Sequence, residues 1–405
     1  MCRQRVVITG MGAVSPYGEG LAPMLEGVRN QVCALTPLPP YQMEGLACRV
    51  AGRVPELSSK RIPRELRRTM SPMSQYACLA AWEALRQAGL RQGSDLPPTG
   101  VAVGSTVGSP QALHEFFTQF LREHSVEEMR STVFFKVMSH TAAANVALAC
   151  GCTGRTLAPA AACASGLAAI CLGYEAIAAG REERMLCGGA DEFHLLTAAT
   201  FDRLGAASHE ADPALASRPF DTARTGVVCG EGAGVLLLES LESAQQRRAT
   251  VLAEVRGAAM TSSPAHMAHP DDVAIAECIG KALDDAALAP QDAVYVNAHA
   301  TGTLYGDMAE GQALTRVFGN RTPVSSLKGH LGHTMAASGA LESILCIAML
   351  RSSVYVPTYG LQNPDPQCGD LLHLTARAHA QPGPVVKNSF ALGGCNCTMV
   401  FDVFS

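Results

Sequence analysis

Two runs far apart in the chain resemble each other: CASGLAAICLGYEAI at 163–177 and MAASGALESILCIAM at 335–349. Ala164-Ser165-Gly166 matches Ala337-Ser338-Gly339, and each triplet follows strand-like sequence and opens an apolar helical run. Such a recurrence predicts two related halves whose central helices pack against each other. The spacing divides the chain into residues 1–245 and 246–405. The stretch 156–180 is nearly free of charge, which raises the question of a membrane span. It is made of Ala and Gly rather than Leu and Ile, it contains Pro159, and Glu175 and the run REER (181–184) close it. These features favour a helix buried within the protein. In that helix Leu167, Ile170, Cys171 and Tyr174 form the large apolar face, and Ser165, Ala169, Gly173 and Ala176 a stripe of small residues. The stripe would let two helix backbones approach closely.

Around these runs, strand-like and helix-like sequence alternate. RVVITG (5–10), GVAVGS (100–105), ERMLCGGA (183–190) and GAGVLLLES (232–240) read as buried strands, with a helix over 71–89 and another over 164–179. The pattern restarts with TVLAEVRGAAM (250–260), a helix near 271–287, DAVYVNAHA (292–300) and a helix over 334–350. It closes with a hairpin over 385–404. Strands separated by helices predict a layered α/β fold. With 48% hydrophobic and 17% charged residues in 405, much of the chain must be interior. A net charge of −5 and the lack of a basic tail exclude a nucleic-acid-binding chain. The 15 cysteines are scattered without paired CxxC motifs, so no metal site is expected, and Cys150 and Cys152 read as core thiols. With no signal peptide before the first strand, the expectation is a reduced, cytoplasmic enzyme outside any membrane.

Four segments carry side chains suited to chemistry. Cys163 falls where a helix begins; unsatisfied amides and the helix dipole there favour thiolate, while burial opposes it. It reads either as a nucleophile or as a small core residue. His299 follows an apolar strand, in VNAHATGTLYGDMAE, as a ligand-facing or a loop-capping imidazole, and Thr301 and Thr303 offer hydroxyls to a polar, amide-bearing arm. In SSLKGHLGHTMAASGALE, Lys328 and His333 precede the second small-residue helix, and spacing alone does not separate His333 from His330. In NSFALGGCN, the turn at Gly393-Gly394 would let backbone amides approach a ligand. KRIPRELRR (60–68) is strongly basic and reads as a docking patch or as a solvated face.

In this order, the blocks resemble the β-ketoacyl synthase (condensing enzyme) family of the thiolase superfamily. RVVITGMGAVSPYG, the segment leading to APAAACASG, SRPFDTARTGVVCGEGAGVLLLE (217–239), the Lys-x4-His block and NSF-x-x-GG-x-N all contribute. The resemblance implies a thiolase-like fold, two duplicated halves in αβαβα layers. It implies an acyltransferase that condenses an acyl group on Cys163 with malonyl-acyl carrier protein, without metal or redox cofactor. It assigns catalysis to Cys163, His299 and His333, with Lys328 as electrostatic support and Glu310 as its ion-pair partner. The backbone N–H groups of Cys163 and Leu392 would form the oxyanion hole, and Thr301 and Thr303 would hold the phosphopantetheine arm. Val107, Phe135, Met138 and Leu392 would shape the acyl pocket, Phe135 and Met138 from across a dimer interface. Lys60, Arg61, Arg64, Arg67 and Arg68 would dock acyl carrier protein. The partner subunit would be an identical chain or a chain-length factor. Leu392 in place of a gating aromatic, Ala300 in place of Gly and Leu304 in place of Pro point toward a specialised type II polyketide or polyene pathway. A housekeeping elongation synthase is the other reading. Two further readings are a non-catalytic chain-length factor, which typically lacks the nucleophile, and a degradative thiolase, for which Cys395 or Cys397 would be the second cysteine.

Overall fold

The duplication is complete at the level of strand order. The structure, a computed structural model, describes residues 3–39, 45–124, 127, 130–379 and 381–404. The first half contributes β1 (Val6–Ser15), α1 (Pro72–Gln87), β2 (Gly100–Gly104), α2 (Thr141–Cys150), β3 (Thr156–Leu157), α3 (Ser165–Ala178), β4 (Arg184–Asp191) and β5 (Gly232–Ser240). The second contributes β6 (Ala253–Ser262), α4 (Asp272–Asp285), β7 (Tyr295–Asn297), α5 (Leu304–Phe318), β8 (Pro323–Ser325), α6 (Ala336–Ser352), β9 (Val385–Ala391) and β10 (Cys395–Asp402). In the first half β1, β5 and β4 pair antiparallel, and β4, β2 and β3 parallel. In the second, β6, β10 and β9 pair antiparallel, and β9, β7 and β8 parallel. The halves join where β1 meets β6, with Val6 opposite Val255.

The alternation of side chains along each strand shows how the layers form. Leu236 and Leu238 of β5, Val385 of β9, and Met399 and Phe401 of β10 face the same core as α3 and α6. Val235 and Leu237 face the outer core under α1 and α2. Val386 and Val400 face the outer core under α4 and α5. Helix, sheet, helix, sheet, helix is therefore the order of layers, and α3 and α6 form the middle one. Both middle helices are buried nearly all round, which explains why neither shows a polar stripe in its sequence.

Their crossing has a specific cause. A Cβ on Gly166 would lie 2.1 Å from the Ala336 carbonyl oxygen, and one on Gly339 would lie 2.4 Å from the Leu167 nitrogen. Glycine in each repeat thus allows the other helix to approach. The small-residue stripe divides between two partners, however: a Cβ on Gly173 would meet Cys187 Sγ of β4, not α6. Both middle helices are entered through a left-handed residue that is not glycine, Ala162 (φ 47°) in the first half and Met335 (φ 53°) in the second. Among the described residues, no single helix is long and apolar enough to cross a membrane.

Candidate functional site

The approach to α3 puts Cys163 two residues ahead of the first helical position, 6% exposed. It lies at the wall of a cavity of about 330 Å³. His299, from the loop after β7, and His333, from the approach to α6, line the same cavity, as do Thr301, Thr303, Leu392 and Phe390. The two imidazole rings stand 5.2 Å apart, nearly perpendicular. Thr301 and Thr303 present their hydroxyls 3.1 Å from one another. The structure thus brings together the thiol, both imidazoles and both threonines. It also separates His330 from His333: His330 is fully buried away from the cavity, its ring 5.5 Å from that of Tyr359.

Electrostatics decide what these groups can do. Burial, and then the Asp191 carboxylate, push the Cys163 thiol up to about 12, against the opposing pull of Lys328. Of the two opposed effects at the helix end, desolvation outweighs the backbone amides, and the resting residue is a thiol. Burial and the ammonium of Lys328 hold both imidazoles well below the ordinary histidine range, so both are neutral at physiological pH. The Ser338 hydroxyl lies 2.9 Å from His333 Nδ1. When that hydroxyl donates, the ring proton sits on Nε2, a buried atom with no protein partner. His299 is held through its backbone: Glu310 accepts from the N–H groups of His299 (2.8 Å) and Ala300 (2.6 Å).

Glu310 is therefore not the ion-pair partner of Lys328. Lys328 Nζ meets Glu342 Oε1 at 2.7 Å, and a second lysine, Lys387 of β9, meets Glu342 Oε2 at 2.9 Å. All three are fully buried. Glu310 instead fixes the turn that carries His299. Asp191 has a comparable task at the other end: it accepts from Ser105 Oγ (2.6 Å) and from the Ala336 N–H (2.8 Å), tying β4 to the start of α6. Arg224, from the segment between β4 and β5, donates to the carbonyls of Thr303 and Leu304 and pairs with Asp365 at 2.6 Å, holding the threonine loop.

Other expectations change on inspection. Val107 (57% exposed) lies on the surface and does not line the cavity; Phe135 (43% exposed) and Met138 stand outside the cavity of their own chain, and their expected place is a partner's pocket across a dimer interface. The cavity wall within this chain is supplied instead by Phe201, Leu204, Ile275 and the segment 266–271. The Gly393 N–H donates to the Met267 carbonyl at 2.7 Å, so the turn holds that segment rather than offering this amide to a ligand. Lys60, Arg61, Arg64 and Arg68 are exposed and Arg67 is half-buried; Arg61 pairs with Glu19, and none lines the cavity. Neither Cys395 nor Cys397 reaches the cavity, and Cys397 Sγ lies 3.2 Å from Cys171 Sγ in the core, which leaves a second-cysteine thiolase without its residue. Among the described residues no group of three or more His, Cys, Asp or Glu could hold a metal ion.

Known proteins share both sequence and fold. Residues 3–244 match the model of the β-ketoacyl synthase N-terminal domain, and residues 252–362 that of the C-terminal domain. A 3-oxoacyl-[acyl-carrier-protein] synthase 2 of Synechocystis is 32% identical, covering 98% of both chains. The crystal structure of a β-ketoacyl synthase from Burkholderia phymatum superposes with a TM-score of 0.95 at 38% identity, covering 99% of this chain and 100% of that one. A type II polyketide ketosynthase solved with its acyl-carrier protein gives 0.91 at 29% identity over the whole of both chains. With family models spanning most of its length and relatives above 30% identity end to end, the chain belongs to the β-ketoacyl synthase family.

Proposed function

We propose that the chain is a β-ketoacyl-acyl carrier protein synthase, with Cys163 as nucleophile and His299 and His333 as the pair that stabilises the enolate. The observation that carries this is a buried thiol and two buried, neutral imidazoles on one cavity, with two threonine hydroxyls beside them. The thiol attacks an acyl thioester carried on acyl carrier protein, the carrier thiol leaves, and the proton from Cys163 passes to it. Malonyl-acyl carrier protein then enters, with Thr301 and Thr303 bonding its pantetheine amides. CO₂ departs, and the electron pair it leaves becomes an enolate whose oxygen accepts N–H bonds from the two imidazoles. Neutral histidines suit this role, because they donate without surrendering the proton. The enolate carbon attacks the Cys163 thioester, while the backbone N–H groups of Cys163 and Leu392 receive the oxyanion. The bond to sulfur breaks, β-ketoacyl-acyl carrier protein leaves, and the sulfur, released as thiolate, takes a proton from solvent. The steps call on no metal or redox cofactor.

The acidic carrier would meet the exposed basic residues Lys60, Arg61, Arg64 and Arg68, with Arg67 beside them. Phe117, Phe120, Leu121, Phe134 and Phe135 are all exposed, an apolar surface suited to a second subunit, either an identical chain or a chain-length factor. Departures such as Leu392 and Leu304 favour specialised type II polyketide or polyene synthesis over housekeeping elongation. The test is incubation with an acyl-acyl carrier protein followed by intact mass measurement, then addition of malonyl-acyl carrier protein with CO₂ detection. The acyl mass should appear on wild type and not on Cys163→Ala, and CO₂ should follow only with the malonyl substrate. Condensation that persists in Cys163→Ala sinks the assignment.

A further inference from the structure

Lys387 has no place in the mechanism above, yet it is fully buried beside it. Its ammonium meets Glu342 Oε2 at 2.9 Å, on the carboxylate whose other oxygen holds Lys328 at 2.7 Å. It also donates to the Asn388 carbonyl, and lies 3.4 Å from Ser389 Oγ. The Asn388 side-chain amide in turn donates to Glu310 Oε1 at 3.3 Å, the oxygen that also receives the His299 N–H. Glu310 accepts at both oxygens, as a carboxylate does. Two ammoniums and two carboxylates are thus linked behind the histidine pair. The other titratable groups against Lys387, Cys346 and Cys397, are thiols that burial keeps neutral.

We propose that Lys387 is a positioning residue for decarboxylation: by sharing Glu342 with Lys328, it supplies the positive charge that balances Glu310. Without it, one lysine would face two buried carboxylates, and an enolate forming at His299 and His333 would meet a net negative charge. In a buried setting a single uncompensated charge acts strongly on a neighbouring one. Balance lets the negative charge of the enolate form without opposition from behind. This inference rests on the decarboxylating reading of the site.

The test uses the full chain, loaded with acyl on Cys163, and follows CO₂ release from malonyl-acyl carrier protein. Rates are divided by the acylated fraction found by intact mass, so that misfolded protein does not count. Lys387→Met should lower kcat for CO₂ release by about tenfold or more, with KM for the malonyl substrate unchanged. The double variant Lys387→Met/Glu342→Gln removes one charge of each sign and should recover most of that loss. A lysine needed only for packing would leave the double variant as slow as the single one or slower, and that result overturns the proposal. Wild-type rates in Lys387→Met overturn it as well. A wild-type enzyme that takes up acyl groups but releases no CO₂ overturns the decarboxylating reading itself, and this inference with it.

Discussion

His330 provides a direct measure of what burial costs this fold. It lies on the short helical turn Lys328–Leu331, fully buried, and neither ring nitrogen has a hydrogen-bond partner among the described residues. Burial pushes its pKa down to about 4 from the ordinary 6.5. The unfolded chain therefore takes up the proton first as pH falls. Its titration costs nothing well above pH 6.5, and protonation favours unfolding progressively between 6.5 and 4. A gap of about two and a half pH units, at about 1.4 kcal/mol each, amounts to about 3 kcal/mol. About 2 kcal/mol of this is lost already by pH 5. His330→Leu deletes the titration and keeps an apolar filling against Tyr359. Urea unfolding followed by circular dichroism, for both proteins from pH 8 to pH 5, should show the variant gaining about 2 kcal/mol on the wild type toward the acid end. His299, His333 and His373 titrate in both proteins, so the difference belongs to His330. Stability curves that run parallel over the whole range would refute the reasoning.

Three further outcomes are expected. Because the Cys163 thiol is pushed up to about 12, iodoacetamide labelling of this residue should keep accelerating without flattening up to pH 10, whereas a rate that flattens between pH 9 and 10 would reveal a thiol of ordinary pKa, and one that flattens earlier a lowered pKa. Gly166→Ala should destabilise the protein by about 2 kcal/mol or more in urea, because its Cβ would lie 2.1 Å from the Ala336 carbonyl oxygen and that clash exceeds the gain in helix propensity; unchanged stability would contradict the helix contact. Reversing the exposed Arg64 and Arg68 to Glu should raise KM for carrier-bound substrates and spare small thioester mimics, and equal effects on both would argue against docking at this face.

What could be read from the sequence follows from which signals are periodic. Buried strands announced themselves as short apolar runs, and the Ala-Ser-Gly repeat located both middle helices and, with them, Cys163 and His333. α2 and α5 escaped notice: one is Ala-rich and apolar nearly all round, and the other starts inside the threonine loop, so neither shows a clean amphipathic stripe. The ion-pair network was hidden for a different reason. Glu342 sits in the middle of an apolar helix and Lys387 in an apolar strand, where a charge looks like a side chain turned to solvent. Only the packing of β9 against α6 reveals that they meet. Glu310 is legible as a buried charge but not in its task, because its two closest partners are backbone amides that no motif encodes. The surface position of Val107 follows from tertiary layout alone.

The left-handed entries at Ala162 and Met335 lead to a last consequence. An L-residue in that region carries a penalty of about 1–2 kcal/mol, and in the first half the kink leads directly into the thiol. In the second half the position matching Cys163 is Ala336, a residue with nothing reactive to offer, yet the kink persists. The turn at Met335 has a different use: it delivers the Ala336 N–H to Asp191, so one copy of the kink presents the thiol and the other anchors the sheet beneath it. Glycine there would relieve the backbone, but it would also remove a buried side chain that packs in one cluster with Cys163, and that loss outweighs the gain.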